Sequence, residues 1–569
     1  MTHPAVEERL ARLAPDQRAA ATAPPGPVLC VAPAGSGKTT TLVARIAWLI
    51  DGGVPADEIA TITFNRRAAL ELSERLAAAL APLGIAAAGV RVRTFHAMGL
   101  EILREAGRRV TPLLDRDAVL AVAVPEASPA ERRRLDTAFS RLKLDLGVRA
   151  EDVAADPGAG PVARAFVAYE RELVRRGGLD FDDLVVHAVR LLEDEPGILA
   201  TWQRRCSHLL VDEAQDLDRS QLRMALLLAA PANRIFLVGD DDQSIYGWRL
   251  ADVRRLLGLA ETSLPGLRRV DLVTNYRCPR TVVERAVRLI ERNEERFAKA
   301  IVSRANAPGQ VILAPLADEG VERCTAVLES WGRPGAAGAA PADETFAILA
   351  RTNRELMPAM VASIRLGVPF RAAGLELPIE SPLVDDLIAA ARDGPDGRPL
   401  LATMARLRVM ARGDRRAIAE ALLTWIPLTP TVGALELAVE ATRAALVALR
   451  RDDASLSLAT AHGTKGLEFD HVAVIGMDEH RFPSARSISE AEDPARALEE
   501  ERRLAYVAWT RARRSLTLVY DPDAPSQFLL EAFEPSELRP PPAAAARPRA
   551  RGLDGSQGSR GPGRSGGST

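Results

Sequence analysis

The chain has 569 residues, 47% hydrophobic and 26% charged, which suits about three to four domains with buried cores, and its net charge of -2 excludes a globally basic nucleic-acid coat. Its four cysteines, Cys30, Cys206, Cys278 and Cys324, are scattered without C-x-x-C spacing, which argues against a zinc site, an iron–sulfur cluster or a disulfide framework. An uncharged stretch such as Leu76–Val90 is too short and too broken by Pro82, Gly84 and Gly89 to span a bilayer, and Met1–Gln17 lacks an apolar signal region, so no membrane association and a cytoplasmic location are expected.

Val28-Leu-Cys-Val-Ala-Pro-Ala-Gly-Ser-Gly-Lys38-Thr39 reads as a strand feeding a glycine-rich phosphate loop and then a helix. Backbone N–H groups of Ala34, Gly35, Ser36, Gly37 and Thr40 are placed to cradle phosphates, Lys38 to reach the β and γ phosphates of a nucleotide, and Thr39 to offer a hydroxyl to Mg²⁺. Ala32 stands where the usual pattern has its first glycine, but Gly35 and Gly37 still permit the tight turn. Far downstream, the apolar run His208–Val211 leads into Asp212 and Glu213. Asp212 is the candidate metal ligand, and Glu213 the group that orients or deprotonates the attacking water.

Further apolar runs are predicted as strands: 60–64, 235–239, 270–273, 346–350, 457–460, 472–476 and 516–520, most followed by Ala/Leu/Arg-rich helical stretches. Alternation of this kind predicts parallel α/β sheets with sites at the strand C-termini. The runs divide near residue 270, giving a first α/β domain over 1–96 and 180–270 and a second over 271–378 and 455–530. Strand signals vanish over 97–179 and 379–454, which read as helical insertions. The Pro/Gly/Arg-rich tail, 531–569, is too poor in apolar residues to order itself and is a candidate contact for unidentified protein partners.

Phosphoryl transfer also needs cations on the γ-phosphate, and Arg277 and Arg511, both beyond the first domain, are candidate arginine fingers. Gln243, after a strand and three aspartates, is placed to sense the γ-phosphate or the water. Aromatics are only 4% of the chain, yet Phe64, Phe95, Tyr246 and Trp248 fall at strand ends beside Arg66, His96 and Arg249. That pattern suits sequence-independent stacking of single-strand bases, with core packing equally open for Phe95. Asp182 and Asp183 read as helix-start carboxylates and not as a metal site. His187 and His208 read as structural.

These segments occur in a fixed order, and together they resemble the UvrD/Rep/PcrA-type superfamily 1A DNA helicases over about residues 13–515. Leu13-Ala-Pro-Asp-Gln17 is similar to the adenine-reading element. Thr61-Ile-Thr-Phe64-Asn65 and Arg93-Thr94-Phe95-His96 resemble motifs Ia and Ib, and Gly239–Arg249 resembles motif III. Asn275-Tyr276-Arg277, Thr460–Phe469 with His462 and Glu468, and Glu500–Arg513 resemble motifs IV, V and VI. The resemblance implies two RecA-like domains and an ATP- and Mg²⁺-dependent 3′→5′ helicase or translocase acting on single-stranded and tailed duplex DNA in repair or recombination. It also implies that Gln17 and Tyr276 meet adenine and that Glu468 meets ribose. Phe64, Asn65, Thr94, His96, Tyr246, Trp248, Arg249 and His462 would lie along DNA. The chain departs from the pattern in its second insertion, where only about 75 residues, read as three short helices, separate Ile379 from Ala454. That favours, as an alternative, a motor that displaces proteins or serves a larger complex with little unwinding alone. A non-catalytic scaffold is disfavoured because every catalytic candidate is present, and a nuclease fusion because too little chain follows Arg513.

Overall fold

The computed structural model describes residues 2–156, 158–304, 308–317, 320–336, 344–372, 378–393, 399–423 and 429–538. Among the described residues fourteen strands form two six-stranded sheets and one small pair. In chain order they are β1 Val28–Val31, β2 Ile59–Thr63, β3 Arg91–Thr94, β4 His208–Val211, β5 Ile235–Gly239, β6 Arg268–Asp271, β7 Thr274–Asn275 and β8 Val302–Ser303, then β9 Gln310–Pro315, β10 Phe346–Ala350, β11 Phe370–Arg371, β12 Leu456–Thr460, β13 Phe469–Val474 and β14 Ala512–Tyr520. The first sheet runs β3-β2-β4-β5-β1-β6, the second β11-β12-β10-β13-β14-β9, and β7 pairs with β8. All these pairings are parallel.

Central strands of a sheet covered on both faces must be apolar throughout, and alternate residues must enter opposite cores. Leu29 and Val31 of β1 pack with Phe95, Met98 and Val185, whereas Val28 and Cys30 pack with Leu42, Val43 and Ile46. The second sheet repeats this: Phe346 and Ile348 face one core, Ala347 and Leu349 the other. The chain therefore carries two RecA-like parallel-sheet domains with helical insertions. All four cysteines are buried thiols, and among the described residues no helix is long and apolar enough to cross a membrane.

The first insertion has its own small core of Val119, Leu120, Phe139, Phe166, Tyr169 and Leu173. The expected start at 97 cuts through the helix Phe95–Glu105, whose Met98 and Ile102 belong to the sheet core. Among the described residues the second insertion contains four helices instead of three: Pro382–Arg392, Leu400–Met410, Gly413–Leu423 and Val432–Leu449.

The expected tail boundary lies at 531. It falls within the helix Gln527–Ala532, after which Phe533 and Leu538 are buried against the second domain and Glu537 pairs with Arg285 at 2.6 Å. These two apolar side chains and the ion pair order a stretch whose composition suggested otherwise. Residues 539–569 of that tail lie outside the described residues.

Candidate nucleotide site and nucleic-acid face

The phosphate loop leaves β1 and enters the helix Lys38–Asp51 through Gly37, at φ +85°. A Cβ on Gly35 would lie 2.8 Å from the Arg277 Cβ, and one on Gly37 would lie 2.5 Å from Gln17 Nε2. Glycine is thus required by close approach as well as by positive φ. Gln17 Nε2 donates to the Ser36 carbonyl at 2.8 Å, and the Tyr276 amide donates to the Gly35 carbonyl at 2.9 Å. Elements on both sides of the cleft therefore grip the loop. Tyr276 itself is 41% exposed. Thr39 sits in the first helical turn, and Thr40 beside it is exposed.

Lys38 Nζ is buried without a hydrogen-bond partner, 3.8 Å from Glu213. Ser36 Oγ is likewise orphaned. Buried donors of this kind cost stability unless a ligand completes them. At the end of β4, Asp212 accepts from the Glu213 amide at 3.0 Å, and Glu213 holds an uncommon left-handed backbone, φ +53°. Burial, then the neighbouring Glu213, pushes the Asp212 carboxyl up to about 7. Burial opposes ionisation of Glu213 too, but Lys38 and then Lys465 outweigh it and hold that group down at about 2.

From Glu213 a bonded path crosses the cleft. Gln215 Nε2 donates to Glu213 at 2.6 Å, and its Oε1 accepts from the Asp240 amide at 2.9 Å. Gln243 Nε2 donates to Asp240, and its Oε1 accepts from the Arg511 guanidinium at 3.3 Å. Arg511 is fully buried, donates also to the Val507 and Leu467 carbonyls, and is lowered to about 9 by burial and then by Arg277. Arg277 donates to Glu468 at 2.7 Å and to the Thr510 carbonyl at 3.2 Å, and Glu468 also receives Arg513. The three aspartates after β5 are clamped by Lys299, with Arg296 adding a bidentate pair to Asp242. Lys465 binds Asp216 and the Gln243 carbonyl, its Nζ 4.9 Å from the Tyr246 ring centroid.

At the same strand ends, Phe64 stacks on Tyr246 with centroids 5.0 Å apart, and Tyr246 meets Trp248 edge-on. Trp248 is 56% exposed, with Arg249 over its ring. Phe95, in contrast, is buried in the sheet core, which resolves its two readings in favour of packing. His96 stacks on exposed Phe181. Phe64, His96, Phe181 and Trp248 line a cavity of about 520 Å³. Beyond Trp248 a second cavity of about 450 Å³ is lined by Arg351, His462 and Glu500. Asn65 and Thr94 are helix N-caps, accepting from the Ala68 and Ala97 amides, so each supports the backbone at this face before meeting any ligand. His96 and His462 are lowered to about 4, chiefly by burial, and are neutral at pH 7.

Asp182 and Asp183 are more than helix-start carboxylates. Glu170, Asp180 and Asp183 converge as a metal set would, but the Lys143 ammonium fills their centre at 2.7, 2.9 and 2.7 Å, while Arg116 takes Asp182. His187 lies 3.9 Å from Asp183.

Reading by sequence gave no role to Gln215, Lys465, Phe181 or Arg351. Arg351 follows β10 directly, so strand-end position was the available signal. Gln215 and Lys465 lay inside recognised segments, but Lys465 finds its partners only where the two domains dock, and Gln215 bridges Glu213 and Asp240 at two neighbouring strand ends of the first domain.

Residues 13–263 match the UvrD/REP helicase N-terminal domain, and residues 440–522 match the UvrD-like helicase C-terminal domain. The chain is 27% identical to the ATP-dependent DNA helicase PcrA of Staphylococcus aureus over 625 aligned positions, covering 90% of this chain and 84% of that protein. With the PcrA of Staphylococcus epidermidis it shares 27% identity over 610 positions, covering 89% and 82%. Both family matches fall on the sheets that build the cleft, and the chain belongs to the UvrD-like family of ATP-hydrolysing DNA helicases.

Proposed function

We propose that this helicase is a cytoplasmic, Mg²⁺-dependent 3′→5′ translocase that tracks single-stranded DNA, opens tailed duplexes and serves DNA repair or recombination. The observation that carries the reading is the bonded path from Glu213 through Gln215, Asp240 and Gln243 to Arg511. It joins a candidate hydrolytic carboxylate to a cation from the other domain, on the strand ends that also bear the aromatic ladder.

The roles follow from the chemistry. Lys38, an orphaned buried cation, neutralises the β and γ phosphates, and the loop amides from Ala34 to Thr40 cradle them. Gln17 and Tyr276 flank adenine, and Glu468 meets ribose once Arg277 turns from it to phosphate. Glu213, anionic and anchored by Gln215, orients the attacking water, and Gln243 reports the γ-phosphate to Arg511. Arg277 and Arg511 stabilise charge that develops in the transition state. The donors fit Mg²⁺: Thr39 and Asp212 offer hard oxygens, and Asp212 is a half-buried carboxylate with no ion pair among the described residues. When bound, that ion would supply Lewis-acid charge to the phosphate oxygens. Contacts that differ between the nucleotide-bound and free cleft shift the grip on bases stacked along Phe64, Tyr246 and Trp248.

Strand separation on 3′-tailed and 5′-tailed duplexes, run beside an ATPase titration with single-stranded DNA, tests the reading. Opening of the 3′-tailed substrate alone is expected, with DNA-stimulated turnover. Equal opening of both substrates overturns the polarity. The four-helix second insertion favours a second reading, a translocating motor with weak unwinding. Strong DNA-stimulated turnover without strand separation on either tail would select it.

A further inference from the structure

We propose that an arginine-lined groove on the seam between the first α/β domain and its helical insertion holds the phosphate backbone of the single strand beyond the aromatic track. The proposal rests on the single-strand reading above. The groove encloses about 850 Å³ between the turn around Leu144–Arg149 and the helices Asp183–Asp194 and Arg219–Ala229. Leu144 lines both this groove and the cavity that holds Phe64, His96 and Trp248, so the two hollows share a wall. Nucleic acid leaving the base cavity past Leu144 enters the groove.

Charge bookkeeping inside it leaves a local cationic surplus on a chain whose net charge is only -2. Asp145 is taken by Arg255, Glu193 by Arg223, and Lys143 is committed to its three carboxylates. Arg149, Arg190 and Arg219 line the groove with no carboxylate partner among the described residues, and Arg219 has only a 3.4 Å contact to the Asp145 carbonyl. Arg149 and Arg219 are exposed, and Arg190 is half-buried. Arg190 also lines the next hollow, where Asp194 and Glu195 accompany Arg108 and Arg109, so the surplus ends there. Guanidinium groups bind phosphate oxygens in bidentate fashion, and such backbone contacts carry no sequence information. A strand whose bases are held upstream by stacking needs that kind of contact.

The test uses the full chain, its Arg149→Ala/Arg190→Ala/Arg219→Ala variant, and two labelled single strands. One is of roughly 8 nucleotides, enough for the base track alone, and the other of roughly 24, enough to reach the groove. The variant should bind the short strand as the unaltered protein does and lose about tenfold in affinity for the long one at low salt, a difference that fades as salt rises. The slope of log affinity against log salt for the long strand should fall by about 2, near 0.7 for each phosphate no longer neutralised. Turnover without DNA should not change, because none of the three arginines touches the nucleotide site. If the triple variant does not fold, Arg149→Ala alone should lower the slope by about 0.7.

Equal losses on both strands, or no loss on the long one, overturn the proposal. A fully duplex probe of the longer length is titrated in parallel, and a loss confined to it assigns the groove to duplex and overturns the proposal as well. The single-strand reading fails separately, if the unaltered protein binds neither oligonucleotide.

Discussion

On the nucleotide side of the first sheet the polar groups are buried and mostly hold one another, as in the chain from Glu213 to Arg511, with Lys38 Nζ and Ser36 Oγ left open. On the nucleic-acid side the groups are half-exposed rings stacked on each other, beside helix caps and uncharged histidines. Both sets hang from the same strand ends. The difference matches the two tasks, since charge must be held rigidly where a transition state is stabilised, whereas bases of any sequence must slide over faces that bind each about equally.

The largest effects should come from the two buried cations, and they should differ in kind. Lys38→Ala and Arg511→Ala are each expected to lower kcat by about 10³–10⁵-fold. Lys38 makes no hydrogen bond in the free protein, so its loss should weaken nucleotide binding while leaving DNA affinity and melting temperature nearly intact. Arg511 donates to two carbonyls and to Gln243, so its removal should also cost about 1–3 kcal/mol of stability while nucleotide binding persists. Steady-state kinetics, nucleotide titration and thermal melts separate the two. A Lys38→Ala protein with normal turnover would sink the site assignment. Arg511→Ala that raises only KM would make Arg511 a ground-state contact.

Gln215→Ala should act next, on the link between the sides. It removes the bridge from Glu213 to the Asp240 amide and should reduce the ratio of DNA-stimulated to basal ATPase by about 5–150-fold, the range of ordinary coupling energies. An unchanged ratio would show that Lys465, which reaches Asp216, Gln243 and the Tyr246 ring, carries the coupling without it.

How legible each side was from sequence follows from its physics. β4, β5 and β10 coincide with the predicted runs because central parallel strands must be continuously apolar. The strand Arg91–Thr94 escaped because it is an edge, with Arg91 and Arg93 both reaching Glu101 and masking any apolar pattern. Gln310–Pro315 is the other sheet's edge and ends in proline. The phosphate loop and Asp212–Glu213 could be read because local spacing alone dictates their chemistry. Lys465 and Lys299 could not, since each acts through a partner that only the docked domains bring near, and Gln215 could not, since its partners Glu213 and Asp240 meet only through the pairing of β4 with β5. Phe181 escaped because its aspartate neighbours drew attention to themselves, although its ring is the one that meets His96.

Trp248→Ala sharpens the contrast on the exposed side. A ring 56% exposed should cost about 1–3 kcal/mol of single-strand affinity, with melting temperature little changed. A buried tryptophan would instead cost about 3–5 kcal/mol of stability. DNA titration at fixed salt and a melt of the same protein decide between them. Unchanged affinity would remove Trp248 from the track and leave the nucleotide side untouched.

The smallest expected effect is the pH-dependent contribution of the two histidines. Burial, outweighing the pull of Asp182, holds His96 at about 4, and burial with Arg351 and Lys465 holds His462 at about 4. Ordinary histidines would gain charge near pH 6.5 and strengthen phosphate attraction as pH falls through that value. Here both rings stay neutral, so their own share of single-strand affinity, read as the difference from His96→Gln/His462→Gln, should change by less than about twofold between roughly pH 8 and 5.5 at constant salt. Asp216 and Asp218, in the cavity with His96 and raised to about 7 chiefly by burial, do gain protons in that window. The stability consequence has a definite sign. The folded pKa lies below the unfolded one, so the unfolded chain binds more protons, and the contribution of these rings is present above about pH 6.5 and lost as pH falls toward 4. Affinity measured across that window, on the unaltered protein and on His96→Gln/His462→Gln, checks the assignment. A rise in affinity with a midpoint near pH 6.5 that disappears in the double variant would mean that these rings meet phosphate as cations, and that the nucleic-acid side also relies on charge.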